Sequence, residues 1–280
     1  MVTQRADHGP HHMSSQGTIT IGYTPTWTDG LSMAHVLKDR LGALGYEVEL
    51  ETFSDLAIAF TALAGGDIDI HASVWPDENN ARYVDQFRDG IEDLVAYNQD
   101  AACYLAVPDY TDVDSIDELT AAGDRFDGRI IGIENGAAIT DTVRHRVMPS
   151  YGLEDAFDLV TSSTPAMLAE LDKATSAHHD VLVTLWTAFW ANDAYPVKRL
   201  EDPENSFGNP ESLHVMARKG FGADHPDLAD YIGRIRLSEK QCRDLEGYLL
   251  DSDDEDDRQD AAAAWIQDNP DVLPAVDQDS

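Results

Sequence analysis

The sequence predicts an α/β protein of two lobes, with a ligand site in the cleft between them. Three observations carry that expectation. Strands and helices alternate over the first third of the 280 residues, the alternation restarts after residue 129, and three of the five tryptophans fall at the ends of strands.

Residues Thr18–Tyr23 (TITIGY) form a short β-branched run of the kind strands favour. A loop with Pro25, Trp27, Asp29 and Gly30 follows. Leu31, Ala34, Leu37, Leu41 and Leu44 then recur at the spacing of one helix face, and Gly45 ends the helix. Residues 48–53 alternate like a strand, and 56–64 read as a helix closed by Gly65 and Gly66. Residues 67–74 (DIDIHASV) alternate again and stop at Trp75-Pro76. Strands separated by helices specify a parallel sheet with crossover connections.

Residues 101–107 (AACYLAV) are strand-like and lead to Pro108 and an acidic stretch over 109–118. The pattern restarts with a strand at 129–133, the turn Glu134-Asn135-Gly136, a helix around 139–147 and a strand at 157–160. Thr164 is placed as an N-cap with Pro165 at the first helical position, in a helix running to about Lys173. Residues 180–185 (DVLVTL) are almost wholly apolar, as a buried central strand is. A further strand is expected at 213–217, after a Pro/Gly/Asn-rich stretch at 201–210. Two α/β lobes in one chain place a ligand between them. Within each lobe, open parallel sheets bind at the carboxyl ends of their strands.

Composition narrows the function. The chain carries 53 Asp+Glu against 19 Lys+Arg, a formal net charge of −34. Such a chain repels phosphate backbones and anionic membranes, so nucleic acid is excluded as a partner. The acidity is dispersed, and lysine is confined to Lys38, Lys173, Lys198, Lys219 and Lys240. That pattern keeps a protein hydrated in concentrated salt and points to a saline setting, with an acidic surface for a cationic partner as the alternative. Cys103 and Cys242 are too few for a disulfide scaffold and read as two small buried residues, with one bridge as the alternative. Residues 1–16, with His8, His11 and His12, read as a flexible leader and not a metal site. No apolar run reaches the ~18 residues that a spanning helix needs. The acidic run at 251–257 lacks the glycine of a calcium loop and reads as a solvated turn, with Trp265 beyond it in ordinary packing.

No GxSxG, P-loop, HExxH, GxGxxG or CxxC motif occurs, and His178-His179-Asp180 reads as a loop. No catalytic residue, metal site or cofactor is therefore expected. The tryptophans are more informative. Trp27 follows the first strand, Trp75 the third, and Trp186 the apolar run at 180–185. A quaternary ammonium has no N–H to donate, and ring quadrupoles hold it at ~0.5–2 kcal/mol per face. Indoles gathered at a cleft suit that cation; plain core packing is the alternative reading.

These segments also carry a family resemblance. GTITIGYTPTWTDG, LGYEVEL, LAGGDIDIHASVW, LWTAFW with VKRLEDP, and AAAAWIQDNPDVLPAV resemble the substrate-binding proteins of glycine betaine/choline ABC transporters, from about Gly17 to the end. The resemblance implies a two-lobe fold of the periplasmic-binding-protein type (type II), with crossings near 106–111 and 207–213. Lobe 1 would hold 17–106 plus 213–280, and lobe 2 would hold 107–212. It implies a monomer that captures choline or glycine betaine and delivers it to an ABC permease. The location would be extracellular, at the cell surface or periplasmic, with a membrane anchor in the full-length protein.

Matched motif by motif, Trp27, Trp75 and Trp186 take positions in an aromatic box, and Tyr104 matches a tyrosine of the choline-binding branch. Asp29 matches an aspartate that accepts from the choline hydroxyl; its alternative role is to cap the helix opening near Leu31. Asn135 in the turn and Trp190, four residues beyond Trp186, are further candidates. Two departures stand out: Trp186-Thr187-Ala188-Phe189 lacks the usual Trp-x-Pro-His histidine, and Glu134-Asn135-Gly136 replaces Glu-Pro-Gly. Asp29 and the missing histidine favour choline, whereas a saline setting favours betaine. A sensor domain for a membrane partner, or an enzyme using Asp29 for proton transfer, are the other classes on this architecture.

The charge reading yields a first prediction. Self-repulsion among so many carboxylates should make the melting temperature climb as NaCl is raised from low to molar concentration. A melting temperature indifferent to salt would remove the saline reading.

Overall fold

The computed structural model describes residues 16–250, 252 and 254–276. The leader expected at 1–16 lies outside the described residues save for Gln16, as do Asp251 and Asp253. The chain opens with β1 (Thr18–Tyr23), α1 (Thr28–Ala43), β2 (Glu47–Thr52), α2 (Leu56–Gly65) and β3 (Ile70–Val74). It continues through α3 (Ala81–Phe87), β4 (Ile91–Ala101), β5 (Cys103–Pro108), a 3-10 helix (Ile116–Phe126) and β6 (Arg129–Ile131). Next come α4 (Ala138–Thr142), a π turn (Val143–Val147), α5 (Met148–Tyr151), β7 (Asp158–Val160), α6 (Thr164–Ser176) and β8 (Val183–Trp186). The chain closes with α7 (Ala191–Ala194), β9 (Val197–Arg199), β10 (Glu211–Arg218), α8 (Phe221–Asp224), α9 (Pro226–Gly233), α10 (Glu239–Leu249) and α11 (Glu255–Asp268).

The opening alternation is the one expected. β1 pairs in parallel with both β2 and β3, as crossover helices require. Gly45 and Gly66 end α1 and α2 at φ +95° and +80°, where a Cβ would be strained. The sheet as a whole is mixed, however, in the order β2-β1-β3-β10-β4. β10 returns from the second half of the chain and runs antiparallel to both β3 and β4. The second sheet, in the order β7-β6-β8-β5-β9, is mixed as well, with β5 antiparallel to β8 and β9.

The crossings need one correction. The chain leaves the first sheet after Ala101 and enters the second at Cys103, ahead of the expected 106–111. β5 lies between β8 and β9 and is buried from Tyr104 to Pro108, so the apolar run at 101–107 serves the second core. The return passes between Arg199 and Glu211, a span that includes the expected start at residue 207. A smaller correction concerns α6. Its N-cap is Ser163, whose Oγ accepts from the Ala166 N–H at 3.2 Å. Thr164 instead donates its hydroxyl to Glu134 Oε2 at 2.9 Å, tying the helix to the turn at 134–136.

In the first lobe Ile19, Ile21, Val36, Leu37, Ile70 and Val215 pack with Trp265, which α11 brings back against α1. In the second, Val183 and Leu185 pack with Met167 and Leu171 on one side of the sheet, and Leu105, Ile130 and Leu182 with Val143 on the other. Cys103 and Cys242 are free thiols, so the alternative of a bridge is not realised. Asp254 of the acidic run accepts from the Asp257 N–H at 2.9 Å and caps α11, and no metal-binding cluster occurs among the described residues.

Trp265 is fully buried and lies away from the inter-lobe cavity described below. Trp265→Ala should cost about 3–5 kcal/mol in a denaturation experiment, the scale for emptying an aromatic site. Ligand affinity measured under folding conditions should stay unchanged.

Candidate functional site

The carboxyl ends of strands from both sheets converge on one cavity that is open to solvent. The first lobe contributes Trp27 and Asp29 at the start of α1, His71 and Ser73 on β3, and Trp75 directly after it. His71, Ser73 and Trp75 occupy alternate positions, so one strand face presents all three. The second lobe contributes Cys103, Ile133, Ile139 and Trp186. Trp186 is the last residue of β8 and not the residue beyond it. Ala188 turns the chain there with φ +62°, a left-handed conformation costing a residue with a Cβ about 1–2 kcal/mol. Phe189 thereby stacks on the Trp186 indole, with centroids 4.2 Å apart and planes at 18°.

Asp29 organises the first-lobe wall. Its Oδ2 accepts from Ser73 Oγ at 2.7 Å and from Trp75 Nε1 at 3.2 Å. Ser73 Oγ also lies 2.8 Å from Tyr97 Oη, so the carboxylate stands on a chain of hydrogen bonds. The Trp75 backbone is closed onto Asn80, donating to its Oδ1 at 2.8 Å and accepting its N–H at 2.7 Å. The alternative of Asp29 as a helix cap does not hold. Trp27 occupies the N-cap position without a side-chain bond, and Asp29 sits inside the first turn facing β3. Asp29 Oδ1 has no hydrogen-bond partner among the described residues, and no Lys or Arg lines the cavity. His71 does not supply a positive charge: burial drives its pKa down to about 4, and its ring stacks on Phe60 at 5.5 Å. The Cys103 thiol is pushed up to about 12 by burial and stays protonated. The lining therefore combines three indoles with one uncompensated carboxylate.

The family model for the substrate-binding domain of ABC-type glycine betaine transport systems matches residues 17–268. This chain belongs to that family. It is similar to the glycine betaine/carnitine transport binding protein GbuC of Listeria monocytogenes, 31% identical over 173 residues. That stretch covers 62% of this chain and 55% of the Listeria protein, so the match spans about half of that relative. Among solved structures, the glycine betaine/L-proline-binding protein ProX of Borrelia burgdorferi aligns at TM-score 0.80 and 28% identity, covering 92% of this chain and 97% of that one. Lactococcal OpuAC, closed with glycine betaine bound, aligns at TM-score 0.81 and 25% identity, covering 91% and 97%. The two-lobe periplasmic-binding-protein fold expected from the sequence is the fold they share with this chain. The matched family and both of these structures belong to the substrate-binding components of transport systems.

Three residues singled out by the family motifs do not line the cavity. Tyr104 is buried; its hydroxyl donates to Asn192 Oδ1 at 2.5 Å and to the Trp186 carbonyl at 3.3 Å, and Arg199 covers its ring at 5.0 Å. It braces the backbone of Trp186 from behind, while its neighbour Cys103 reaches the cavity. Trp190 faces a separate groove with Asp193, Arg243 and Trp265. Its backbone N–H donates to Glu246 Oε2 at 2.9 Å, on a carboxyl that burial holds well above the usual range. Asn135 is exposed and accepts from Arg144 at 2.8 Å. Conversely, His71, Ser73, Ile133 and Ile139 line the cavity without having been singled out.

The depressed His71 pKa carries a sign. Between about 6.5 and about 4 the unfolded chain binds a proton that the folded chain refuses, so stability falls as pH falls through that window. Chemical denaturation at pH 7 and pH 4.5 should show His71→Phe losing about 2 kcal/mol less than the parent over the same change.

Proposed function

We propose that the protein captures a quaternary ammonium solute in the inter-lobe cavity and delivers it to the permease of an ABC transporter. The single observation that carries this reading is the wall itself: Trp27, Trp75 and Trp186 around one cavity, with Asp29 as its carboxylate and no lysine or arginine. Each indole face attracts the methylated cation at ~0.5–2 kcal/mol, and the carboxylate supplies the countercharge. The lobes close on the solute about the two crossings, with residues 17–101 and 211–276 in one and 103–208 in the other. The protein acts as a monomer outside the cytoplasmic membrane. Among the described residues no helix is long and apolar enough to cross a membrane.

The ligand we favour is choline. Asp29 Oδ1 is placed to accept its hydroxyl proton, and the net positive charge of choline meets an uncompensated carboxylate. The same carboxylate repels the carboxylate of glycine betaine, for which the lining offers no cationic partner. Glycine betaine is the second reading, and the liganded lactococcal structure favours it.

Calorimetric titration in high salt with choline, glycine betaine, carnitine and proline tests the reading. Choline should bind most tightly. Binding of proline with no response to any trimethylammonium compound would overturn the cage. Asp29→Asn should weaken choline by about 1–3 kcal/mol, the scale of a charge-assisted hydrogen bond, and glycine betaine less. Trp75→Ala and Trp186→Ala should each cost on the order of 1–2 kcal/mol in affinity.

A further inference from the structure

The cavity contains polar atoms that the cage and Asp29 leave unused. Thr24 and His71 both line it, and they are only 7% and 3% exposed. Thr24 Oγ1 and both ring nitrogens of His71 have no hydrogen-bond partner among the described residues; the Ser73 backbone approaches the imidazole without reaching hydrogen-bond geometry. Folded proteins leave few buried polar groups unpaired, and those that remain call for a specific explanation. Here both stand in one wall. β1 and β3 are parallel neighbours with Gly22 opposite His71, and Thr24 follows Gly22 by two residues, at the level of Ser73. Ser73 in turn holds Asp29 Oδ2. The free oxygen of Asp29 and the two orphaned groups thus belong to the same edge of the first sheet.

We infer that Thr24 and His71 are specificity-determining residues that donate to an oxygen on the ligand, so that the cavity selects a hydroxyl-bearing trimethylammonium compound over a bare tetraalkylammonium. The inference rests on the quaternary ammonium reading above and adds what recognises the other end of the ligand. A hydroxyl both donates and accepts. Its proton goes to Asp29 Oδ1, and its lone pairs receive the Thr24 hydroxyl and the N–H of His71. The imidazole is suited to this. Phe60 stacks against it and fixes the ring plane, and in its neutral form it offers an N–H without placing a positive charge beside the ammonium. The indoles attract the methyl groups of either compound, so they cannot make this distinction.

The test compares choline with tetramethylammonium, which keeps the cation and lacks the oxygen. Calorimetry in high salt is run on the parent protein, Thr24→Val, Thr24→Ser and His71→Phe, with melting temperatures measured alongside. The parent should prefer choline by about tenfold or more, and Thr24→Val and His71→Phe should each narrow that preference about fivefold through choline alone, the scale of one lost hydrogen bond. Thr24→Ser, which restores the hydroxyl, should keep the parent's preference. Two results would overturn the inference: an unchanged preference in both Thr24→Val and His71→Phe, or equal losses for the two ligands, which would mark a packing role. If the parent bound neither ligand, the cage itself would fall, an outcome distinct from an unchanged preference.

Discussion

Asp29 Oδ2 receives two hydrogen bonds at once, from Ser73 and from the Trp75 indole, and the first-lobe wall takes its shape from that sharing. An indole on a loop after a strand has rotamer freedom that would blur a binding surface. Here its N–H is held by a carboxylate on a different element, and its backbone is closed onto Asn80. The carboxylate is restrained in turn by Ser73, which reaches back to buried Tyr97. The cost of placing a carboxylate in a half-buried wall is offset by these donors. What remains is a negative charge beside fixed aromatic faces, which is the arrangement a desolvated cation requires.

Much of this fold could be read from the sequence, because its cues are local. Leucine spacing gave α1, Gly45 and Gly66 its end and that of α2, and the alternation in DIDIHASV gave β3. β4 escaped because its charged and apolar residues do not alternate cleanly, and its ladder with β10 slips register three times. Without β4, the apolar run at 101–107 appeared to finish the first lobe, although it begins the core of the second. The mixed character of the sheets depends on where the returning β10 inserts in the first and the entering β5 in the second, and no local pattern records that.

The site divides along the same line. Tryptophans at strand ends are visible in sequence, and Trp27, Trp75 and Trp186 reach one cavity. Motif matching places Tyr104 on the correct strand but does not say which face of that strand looks outward. The two-residue period decides it, and Cys103 faces the cavity while Tyr104 supports Trp186 from the core. Counting back from Trp75 in steps of two would have reached Ser73 and His71. Trp190 lies beyond the turn at Ala188, which keeps Phe189 against Trp186 and leaves Trp190 in the separate groove with Arg243 and Trp265.

The outward crossing is a single residue, Ala102, between two strands of different sheets. A link of about 3.5 Å holds the adjoining ends of the two sheets close together. Ala102 is also doubly tied to Thr187, donating to its Oγ1 and accepting its N–H, each at 2.9 Å. Thr187 directly follows Trp186, whose partner across the ladder is Cys103. Trp186 therefore sits close to the spine of the book, and atoms near a rotation axis travel least. Under the proposed opening and closing of the lobes, the indoles of the first lobe would sweep the longer arc and the one at the spine the shortest, so a departing solute would leave through the fore-edge with its last aromatic contact behind it.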